Sequence, residues 1–311
     1  VINFFSNEKE IAMNIVVTGS LGNISKPLTE TLRAKGHAVT VASHSPARAK
    51  EIEALGAAAA IGTMEDADFL TATFTGADAV YCMISAGGGF SDENFDMVAH
   101  ATRVANNYRV AIERSGVQRV VFLSSVGAHL EHGNGILGFY YQVEKELSTL
   151  PSTVAITFMR PVAFYSNLLG YIGMIKKEGF IAANYGGDEK RPWVSPVDIA
   201  AAVAEELTTP ATGRSTRYVA SDEISCNEIA AILGQAIGKA ELQWIVISDE
   251  QLRAGMIAAG MNPQIAAGMV AMYAAARSGA LSADYERHRP VLGNVKMKEY
   301  AMEFARIYNQ Q

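Results

Sequence analysis

The chain has 311 residues, of which 49% are hydrophobic and 19% charged, and its formal net charge is −6. This length and balance are typical of a folded globular protein and too apolar for a disordered one. The negative charge and the lack of a basic stripe argue against a protein that binds nucleic acid through its phosphates. Two cysteines, Cys82 and Cys226, are too few for a disulfide framework. They indicate a reducing compartment, so we expect a cytoplasmic protein.

The sequence predicts neither a membrane span nor a secretion signal. No uninterrupted apolar run approaches the roughly 20 residues that a membrane helix needs. The first twelve residues lack the basic-then-apolar order of a signal peptide. Met13 directly precedes the first predicted strand, and we therefore expect residues 1–12 to be an N-terminal extension.

Strands and helices alternate along the first half of the chain. The hydrophobic pattern predicts strands at 14–18, 38–42, 57–61, 78–84, 117–123 and 153–159. It predicts helices between them at 22–35, 46–55, 67–74 and 93–114. Such alternation is typical of a parallel sheet with helices on both faces. We therefore predict an α/β protein with a Rossmann doubly wound parallel sheet within residues 13–160.

The second half of the chain is less regular. Its pattern predicts helices at 197–207, 227–237, 249–260 and 263–277, a strand at 242–247 and a short apolar segment at 217–220. The two helices at 249–277 are rich in Ala and Met, which suits either a movable lobe or ordinary core packing. We expect residues 161–311 to form a smaller, partly helical C-terminal lobe that binds substrate, with some segments returning to the Rossmann sheet.

The turn after the first strand has the pattern of a dinucleotide-binding loop, Gly19-x-x-Gly22-x-x-Ser25, and a helix-forming stretch follows it. The first glycine allows a tight turn, and the second lets the backbone approach a pyrophosphate. The free N–H groups of the helix N-terminus then face the anion. Ser25 stands where Gly or Ala is usual. The residues predicted to contact the cofactor here are Gly19, Ser20, Leu21, Gly22, Asn23 and Ile24.

Further cofactor contacts are expected where other strands end, because ligands of a doubly wound sheet bind beyond the carboxyl ends of its strands. These candidates are Ser43, His44 and Arg48 after the second strand, Met83 and Ile84 at the end of the fourth with Ser85 directly after it, and Ser124 after the fifth. The glycine-rich stretch at 85–89 could approach a ribose or nicotinamide closely, or be a plain loop.

The end of the second strand favours NADP(H) over NAD(H). Sites for NAD usually carry Asp or Glu there, whereas the first carboxylate in this region is Glu51. A carboxylate about 4 Å from a 2′-phosphate would cost on the order of 4 kcal/mol at an effective dielectric constant near 20. Ser43, His44 and Arg48 offer hydrogen-bond donors and positive charge instead.

Several different short motifs follow one another in a characteristic order from Met13 onward. Besides the glycine loop they are Gly76-Ala-Asp78-Ala-Val80, Phe122-Leu-Ser-Ser-Val126, Glu144-Lys-Glu-Leu147, Met159-Arg-Pro-Val162, Ser166-Asn-Leu168 and Trp193-Val-Ser-Pro-Val-Asp198. In this order the sequence resembles the NmrA-like branch of atypical short-chain dehydrogenases, which includes NADPH:quinone oxidoreductase-like proteins and redox-sensing regulators. The resemblance implies a Rossmann domain that binds NAD(P)H and a smaller lobe that covers the substrate cleft.

The resemblance also raises the question of a catalytic pair. Short-chain dehydrogenases use Tyr-x-x-x-Lys on the helix after strand five, where the Lys lowers the pKa of the Tyr so that it can exchange a proton with the substrate. Tyr141 and Lys145 have this spacing, and Ser124 lies upstream of them as the family's Ser does.

The register of the same helix argues against Tyr141 and Lys145 as this pair. When Glu144 and Leu147 are aligned with the family's Glu and Leu, Tyr140 stands where the Lys belongs and Ile136 where the Tyr belongs. Tyr140, Tyr141 and Lys145 therefore all remain candidate catalytic residues. Quinone reductase-like members of the branch do not depend on the pair, because water can supply the protons.

The resemblance further implies an aromatic substrate pocket. Its candidate residues, besides Tyr140, are Phe139, Phe164, Tyr165, Asn167 and Trp193. Aromatic rings suit a planar, partly apolar small molecule, although Phe164 and Trp193 could equally be packing between lobes. His129 and His132 flank Glu131 and could suggest metal ligands, but the sequence places no further Cys or carboxylate beside them, so no metal site is predicted.

Three functions follow from these observations. The first is an NADPH-dependent oxidoreductase that reduces a small planar acceptor such as a quinone. The second is a non-catalytic NADP(H) redox sensor that binds a protein partner. The third, with least support, is a nucleotide-sugar epimerase or dehydratase, which requires Tyr141 and Lys145 to be the true pair. We expect a monomer or a homodimer.

Overall fold

The computed structural model describes residues 11–85 and 89–310. Its strands are, in chain order, β1 (Asn14–Val17), β2 (Ala38–Ser43), β3 (Ala58–Ile61), β4 (Ala79–Cys82), β5 (Arg119–Leu123), β6 (Ala155–Pro161), β7 (Ala163–Phe164), β8 (Ile181–Ala183), β9 (Arg191–Val194), β10 (Arg214–Val219), β11 (Asp222–Ile224) and β12 (Trp244–Val246). The helices are α1 (Ser25–Ala34), α2 (Ala49–Ala54), α3 (Ala67–Phe74), α4 (Met97–Ser115), α5 (Gly138–Leu147), α6 (Ile172–Glu178), α7 (Pro196–Thr208), α8 (Cys226–Ala236), α9 (Asp249–Ala258), α10 (Pro263–Arg277), α11 (Ala283–Arg287) and α12 (Met297–Gln310). No helix in these ranges combines the length and apolarity needed to cross a bilayer.

Seven strands form one parallel sheet in the order β10-β6-β5-β4-β1-β2-β3. The chain builds outward from β1 to β3 and then returns to add β4 on the other side of β1. The strand order therefore reverses between β1 and β4, which is the switch point where ligands of such sheets bind. The predicted Rossmann doubly wound sheet is confirmed.

The two faces of this sheet carry separate hydrophobic clusters because successive residues of a strand point to opposite faces. Ile15 and Val17 belong to the cluster beneath α1 and α7, whereas Val16, between them, belongs to the cluster beneath α3, α4 and α5. Burial on both faces explains why the strands are continuous apolar runs rather than alternating ones.

Some predicted boundaries are wrong, each for a local reason. The first helix begins at Ser25 rather than at residue 22, because residues 19–22 form a turn closed by the Gly22 N–H on Gly19 O at 3.3 Å. The fourth strand ends at Cys82, because the Met83 N–H turns to the Thr18 hydroxyl at 3.2 Å. The long helix begins at Met97, because Asp96 caps it by accepting from the Ala99 N–H.

The second half of the chain adds both to the main sheet and to a separate cluster. Residues 217–219 of the predicted apolar segment are the end of β10, which pairs with β6. A three-stranded sheet (β11-β9-β7) and a two-stranded one (β12-β8) pack with α6, α8 and α12 around a third hydrophobic cluster. The division into domains at 13–160 and 161–311 stays a prediction.

Candidate functional site

The loop after β1 adopts a backbone conformation that favours glycine. Gly19 has a φ of +87°, and Ser20, at +57°, is the one non-glycine residue with positive φ in the described ranges. A Cβ on Gly19 would lie 3.0 Å from the Met83 side chain and 3.0 Å from Ser25 Oγ. The Ser20 conformation costs about 1–2 kcal/mol, a strain that proteins retain mainly at functional sites.

The same loop presents backbone donors that have no partner. No acceptor in the described part of the chain takes the amide hydrogens of Leu21, Asn23 and Ile24. Ile24, the N-cap of α1, provides no side-chain cap, and the Ser25 hydroxyl donates to Thr18 O at 2.8 Å instead. This internal bond also explains why a serine is accommodated in the third position of the motif. Free N–H groups and the positive end of the helix dipole form an anion site.

A dinucleotide's diphosphate needs backbone donors and close approach to the main chain, and the loop offers both. We call residues 19–24 the cradle. At Gly22 a Cβ would lie only 3.3 Å from Gly19 O, so the bend itself has little room for side chains. The residues present therefore fit a nicotinamide dinucleotide.

The end of β2 lies directly beside the cradle. The Ser43 hydroxyl is 2.9 Å from the Ser20 hydroxyl and also accepts from the Ser45 N–H at 3.2 Å. His44 and Arg48 are exposed. The Arg48 guanidinium lies 2.5 Å from the Glu51 carboxylate, and about half of each side chain is exposed. A surface pair of this kind contributes at most about 1 kcal/mol, so a ligand phosphate can displace Glu51.

The loop after β4 is held against the loop after β1. The Tyr108 hydroxyl lies 2.8 Å from Met83 O and 3.2 Å from Thr18 Oγ1, and the Met83 N–H donates to that same Thr18 oxygen. Ile84 is buried, and Ser85 O lies 2.9 Å from His100 Nε2. Within the glycine-rich stretch at 85–89, residues 86–88 lie outside the described residues.

A buried network that sequence reasoning missed lies where β5 and β6 end. The Ser124 hydroxyl donates to Glu144 at 2.5 Å, and Arg160 donates to both oxygens of Glu144 at 3.0 and 2.6 Å. Arg160 also donates to Asp284 at 3.2 Å, and the Tyr218 hydroxyl donates to the same carboxylate at 2.7 Å. An arginine within the apolar strand β6 was the available signal, because a buried charge requires a partner.

The electrostatics of this network follow from its hydrogen bonds. Burial raises the pKa of Asp284, but hydrogen bonds from Tyr218 and Arg287 outweigh it, so that the pKa lies below its usual value. Burial lowers the pKa of Arg160, but its hydrogen bonds to Glu144 outweigh this and raise it overall. Both residues therefore stay charged at neutral pH.

Helix α5 brings Glu144, not Lys145, to the end of β5. Tyr140 precedes Glu144 by one helical turn and so shares its face, whereas Lys145 is exposed and Tyr141 half-buried. Burial raises the pKa of Tyr140 to about 12, so this phenol is protonated at neutral pH. Ser124 is thus bonded to Glu144 rather than to a member of the Tyr141–Lys145 pair.

The candidate pocket residues do not share one wall. Phe139 lies in the cluster beneath α3, α4 and α5, and its ring centroid is 4.1 Å from that of Tyr140. Phe164 packs on the opposite face of the sheet. Tyr165 and Trp193 are 0% and 2% exposed within the third cluster, and Asn167 is exposed. A substrate could reach Tyr165 and Trp193 only if that cluster opened. The pocket assignment stays a prediction.

The described ranges contain neither a cluster of metal ligands nor a reactive thiolate. No three His, Cys, Asp or Glu side chains there cluster as metal ligands. Cys82 and Cys226 are free and buried. Burial raises the pKa of both thiols, that of Cys226 to about 12, so neither is a thiolate at neutral pH.

Known proteins resemble this chain over most of its length. An NAD(P)H azoreductase from Xenophilus azovorans is 26% identical over 263 residues, which cover 84% of this chain and 87% of the relative. A triphenylmethane reductase from Citrobacter sp., solved with NADP(H), has a TM-score of 0.73 and 21% identity, covering 94% of this chain and 99% of that one. An NADPH-dependent quinone oxidoreductase from Escherichia coli, solved with NADPH, has a TM-score of 0.72 and 18% identity, covering 93% and 99%.

The two structural similarities support the Rossmann-like fold described above, and the family follows from a separate match. The model of the NmrA-like family matches residues 12–287, which include the whole seven-stranded sheet and extend to the end of α11. The resemblance read from the sequence motifs is confirmed, and the chain belongs to the NmrA-like family.

Proposed function

We propose that this protein is an NADPH-dependent oxidoreductase that reduces a small planar acceptor such as a quinone. The observation that carries the proposal is the cradle, whose glycine-lined bend and N–H groups, unpartnered among the described residues, suit a dinucleotide's diphosphate. The relatives support it, since one is an NAD(P)H azoreductase and two others are reductases solved with NADPH or NADP(H).

The sheet order suggests how the cofactor would lie. Because β1 has β2 on one side and β4 on the other, a diphosphate at the cradle would direct the adenosine towards β2 and the nicotinamide towards β4 and β5. His44 and Arg48, both exposed after β2, would then face a 2′-phosphate, with no carboxylate between them. This supports NADP(H) over NAD(H).

The bound cofactor would supply a hydride to the acceptor. The cradle would hold the diphosphate, and the loops after β4 and β5 would bind the acceptor and limit its contact with water. Ser124 donates its hydrogen to Glu144, so its oxygen remains an acceptor for an amide group. The Tyr140 phenol is protonated at neutral pH, as an ordinary tyrosine is, and could donate a hydrogen bond to the acceptor; burial raises its pKa further, to about 12.

Cofactor consumption with a panel of acceptors tests this proposal. Purified protein would be mixed with NADPH or NADH and with quinones, azo dyes and nucleotide sugars, and oxidation of the nicotinamide followed by absorbance. Samples without an acceptor give the background. We expect turnover with a quinone or azo dye and a preference for NADPH. Tight NADPH binding without turnover of any acceptor would contradict an enzymatic function.

One observation favours the alternative of a non-catalytic NADP(H) sensor. The Ser124 hydroxyl is bonded to Glu144, and Lys145 is exposed, so the arrangement offers no Tyr–Lys relay beside Ser124. The same observation weakens an epimerase or dehydratase function, which depends on Tyr141 and Lys145. A sensor would bind NADPH, show no turnover and capture a protein partner only in one cofactor state.

A further inference from the structure

Asn262 links two parts of the chain that are far apart in sequence. It lies between α9 and α10 and is 2% exposed. Its side-chain oxygen accepts from the N–H groups of Gln264 at 2.8 Å and Ile265 at 3.3 Å, which caps α10. By itself this is an ordinary helix cap.

The same residue also donates hydrogen bonds to a segment much earlier in the chain. Its side-chain NH₂ donates to Asp92 O at 2.7 Å and to Glu93 O at 3.1 Å, and its backbone N–H donates to Phe90 O at 2.9 Å. These carbonyls belong to the segment that connects β4 to α4. Both the side-chain and the backbone N–H groups of Asn262 therefore donate to this segment, which precedes it by about 170 residues. We call these three bonds the Asn262 tie.

Helix α10 also packs closely on the segment that follows β5. A Cβ on Gly135 would overlap Gly268 O and Met272 N, and a Cβ on Gly268 would lie 3.3 Å from the Ile136 side chain. Backbone thus meets backbone at this crossing. Helix α10 consequently spans from the segment after β4 to the segment after β5, and these are the two strands towards which the proposed cofactor would direct its nicotinamide.

The side chains of this span that pack against the sheet are mostly apolar. Four partly buried side chains pack against the cluster beneath α3, α4 and α5, namely Ile136, Tyr140, Met261 and Met269. Ile265 is buried within that cluster. A surface of this composition suits a flat apolar molecule and offers no charged group to a phosphate or carboxylate.

We propose that Asn262 is a positioning residue, which holds α10 against the segments that follow β4 and β5 and so determines the fit of a flat, apolar acceptor. This inference rests on the proposed function. It assigns the acceptor contact to the apolar surface beside α10, and it assigns Asn262 no contact with the acceptor or the cofactor.

The variant Asn262→Asp separates the cap from the tie. Asp caps a helix about as well as Asn, whereas it has no N–H to donate and places a carboxylate against the Asp92 and Glu93 carbonyls. The matched control is Ser248→Ala, which removes the N-cap of the neighbouring α9, where the Ser248 hydroxyl accepts from the Gln251 N–H of its own helix.

Two readouts are compared in the NADPH-loaded protein. For Asn262→Asp we expect α10 to keep its wild-type position only about a tenth of the time, because two buried hydrogen bonds are lost. The KM for the acceptor should therefore rise roughly 10-fold, with kcat and NADPH affinity within about 2-fold of wild type. Amide hydrogen exchange in residues 89–96 should become faster. Ser248→Ala should change neither. Should Asn262→Asp not fold, Asn262→Ser, which keeps an oxygen cap but is too short to reach both carbonyls, gives the same comparison.

Values for KM and for exchange in 89–96 that match those of Ser248→Ala would overturn the inference. A wild-type protein that reduces no acceptor would refute the proposed function. In that case the exchange rates in residues 89–96 still show whether Asn262 holds that segment. Failure of the proposed function and failure of the Asn262 inference can therefore be told apart.

Discussion

The sharpest test of the cradle replaces Gly19 by alanine and compares it with the same change at Gly36. The two glycines share a φ of +87°. A Cβ at Gly36 meets no described residue within 4 Å, whereas at Gly19 it lies 3.0 Å from the Met83 side chain and from Ser25 Oγ. Both variants carry the same backbone strain, and only Gly19→Ala disturbs the loop that would bind the diphosphate.

The magnitudes follow from these contacts. The left-handed backbone costs an alanine about 1 kcal/mol in the free energy of unfolding at either site. Overpacking against Ser25 and Met83 adds roughly 1 kcal/mol at Gly19. A cradle displaced by a few tenths of an ångström would lose at least one charge-assisted hydrogen bond to the diphosphate, about 1.5–3 kcal/mol. The expected dissociation constant for NADPH is therefore roughly 10- to 150-fold higher.

The assay is calorimetric titration with NADPH, combined with urea unfolding of each variant. We expect Gly36→Ala to bind NADPH like the wild type and to lose about 1 kcal/mol of stability. Gly19→Ala should lose more stability and bind at least about 10-fold more weakly. Equal affinities for the two variants would refute the assignment of the diphosphate to this loop.

Three further predictions concern residues around the cradle and the buried network. Glu51→Gln should strengthen NADPH binding by roughly 2- to 5-fold without changing NADH binding, because it frees Arg48 from a surface ion pair. Asp284→Asn should lower the free energy of unfolding by about 1–3 kcal/mol above pH 5. Because the folded state depresses the pKa of Asp284, this difference should be present above the unfolded pKa near 4 and vanish as the pH falls through the folded pKa. Tyr141→Phe and Lys145→Ala should each keep activity within about 3-fold of wild type, since Lys145 is exposed and loss of a working acid–base group would cost at least about 100-fold.

Contrary outcomes for these predictions are equally specific. An unchanged ratio of NADPH to NADH affinity in Glu51→Gln would mean that Arg48 does not meet the 2′-phosphate. A stability difference for Asp284→Asn that does not shrink as the pH falls below the unfolded pKa near 4 would point to lost packing rather than lost charge. Loss of all activity in Tyr141→Phe would restore the Tyr–Lys mechanism and, with it, the epimerase alternative.

The parts of the fold that were predictable are those with a local signal. The strand, the Gly19–Gly22 spacing and the helix after it are contiguous in sequence, so the cradle could be inferred from residues 14–35. The small strands β7 and β11 have two and three residues, too few to show a period. Helix α12 was missed although its buried residues Met297, Tyr300, Ala301 and Phe304 follow helical spacing.

The site was less predictable because it depends on contacts between distant residues. Glu144 and Arg160 both stood in motifs, but their bond to Ser124 requires α5, β5 and β6 to be placed in space. Asp284 joins Arg160 across 124 residues, and Asn262 joins Asp92 across 170. No sequence period reports contacts at such separations. They became visible only once the sheet order was known.

Titration of the purified protein with NADPH and NADH tests the central claim most directly. If residues 19–24 hold the diphosphate, one NADPH should bind per chain in a saturable manner and more tightly than NADH. Absence of saturable binding by either nucleotide would contradict the account, because the reductase and sensor functions both require an occupied cradle.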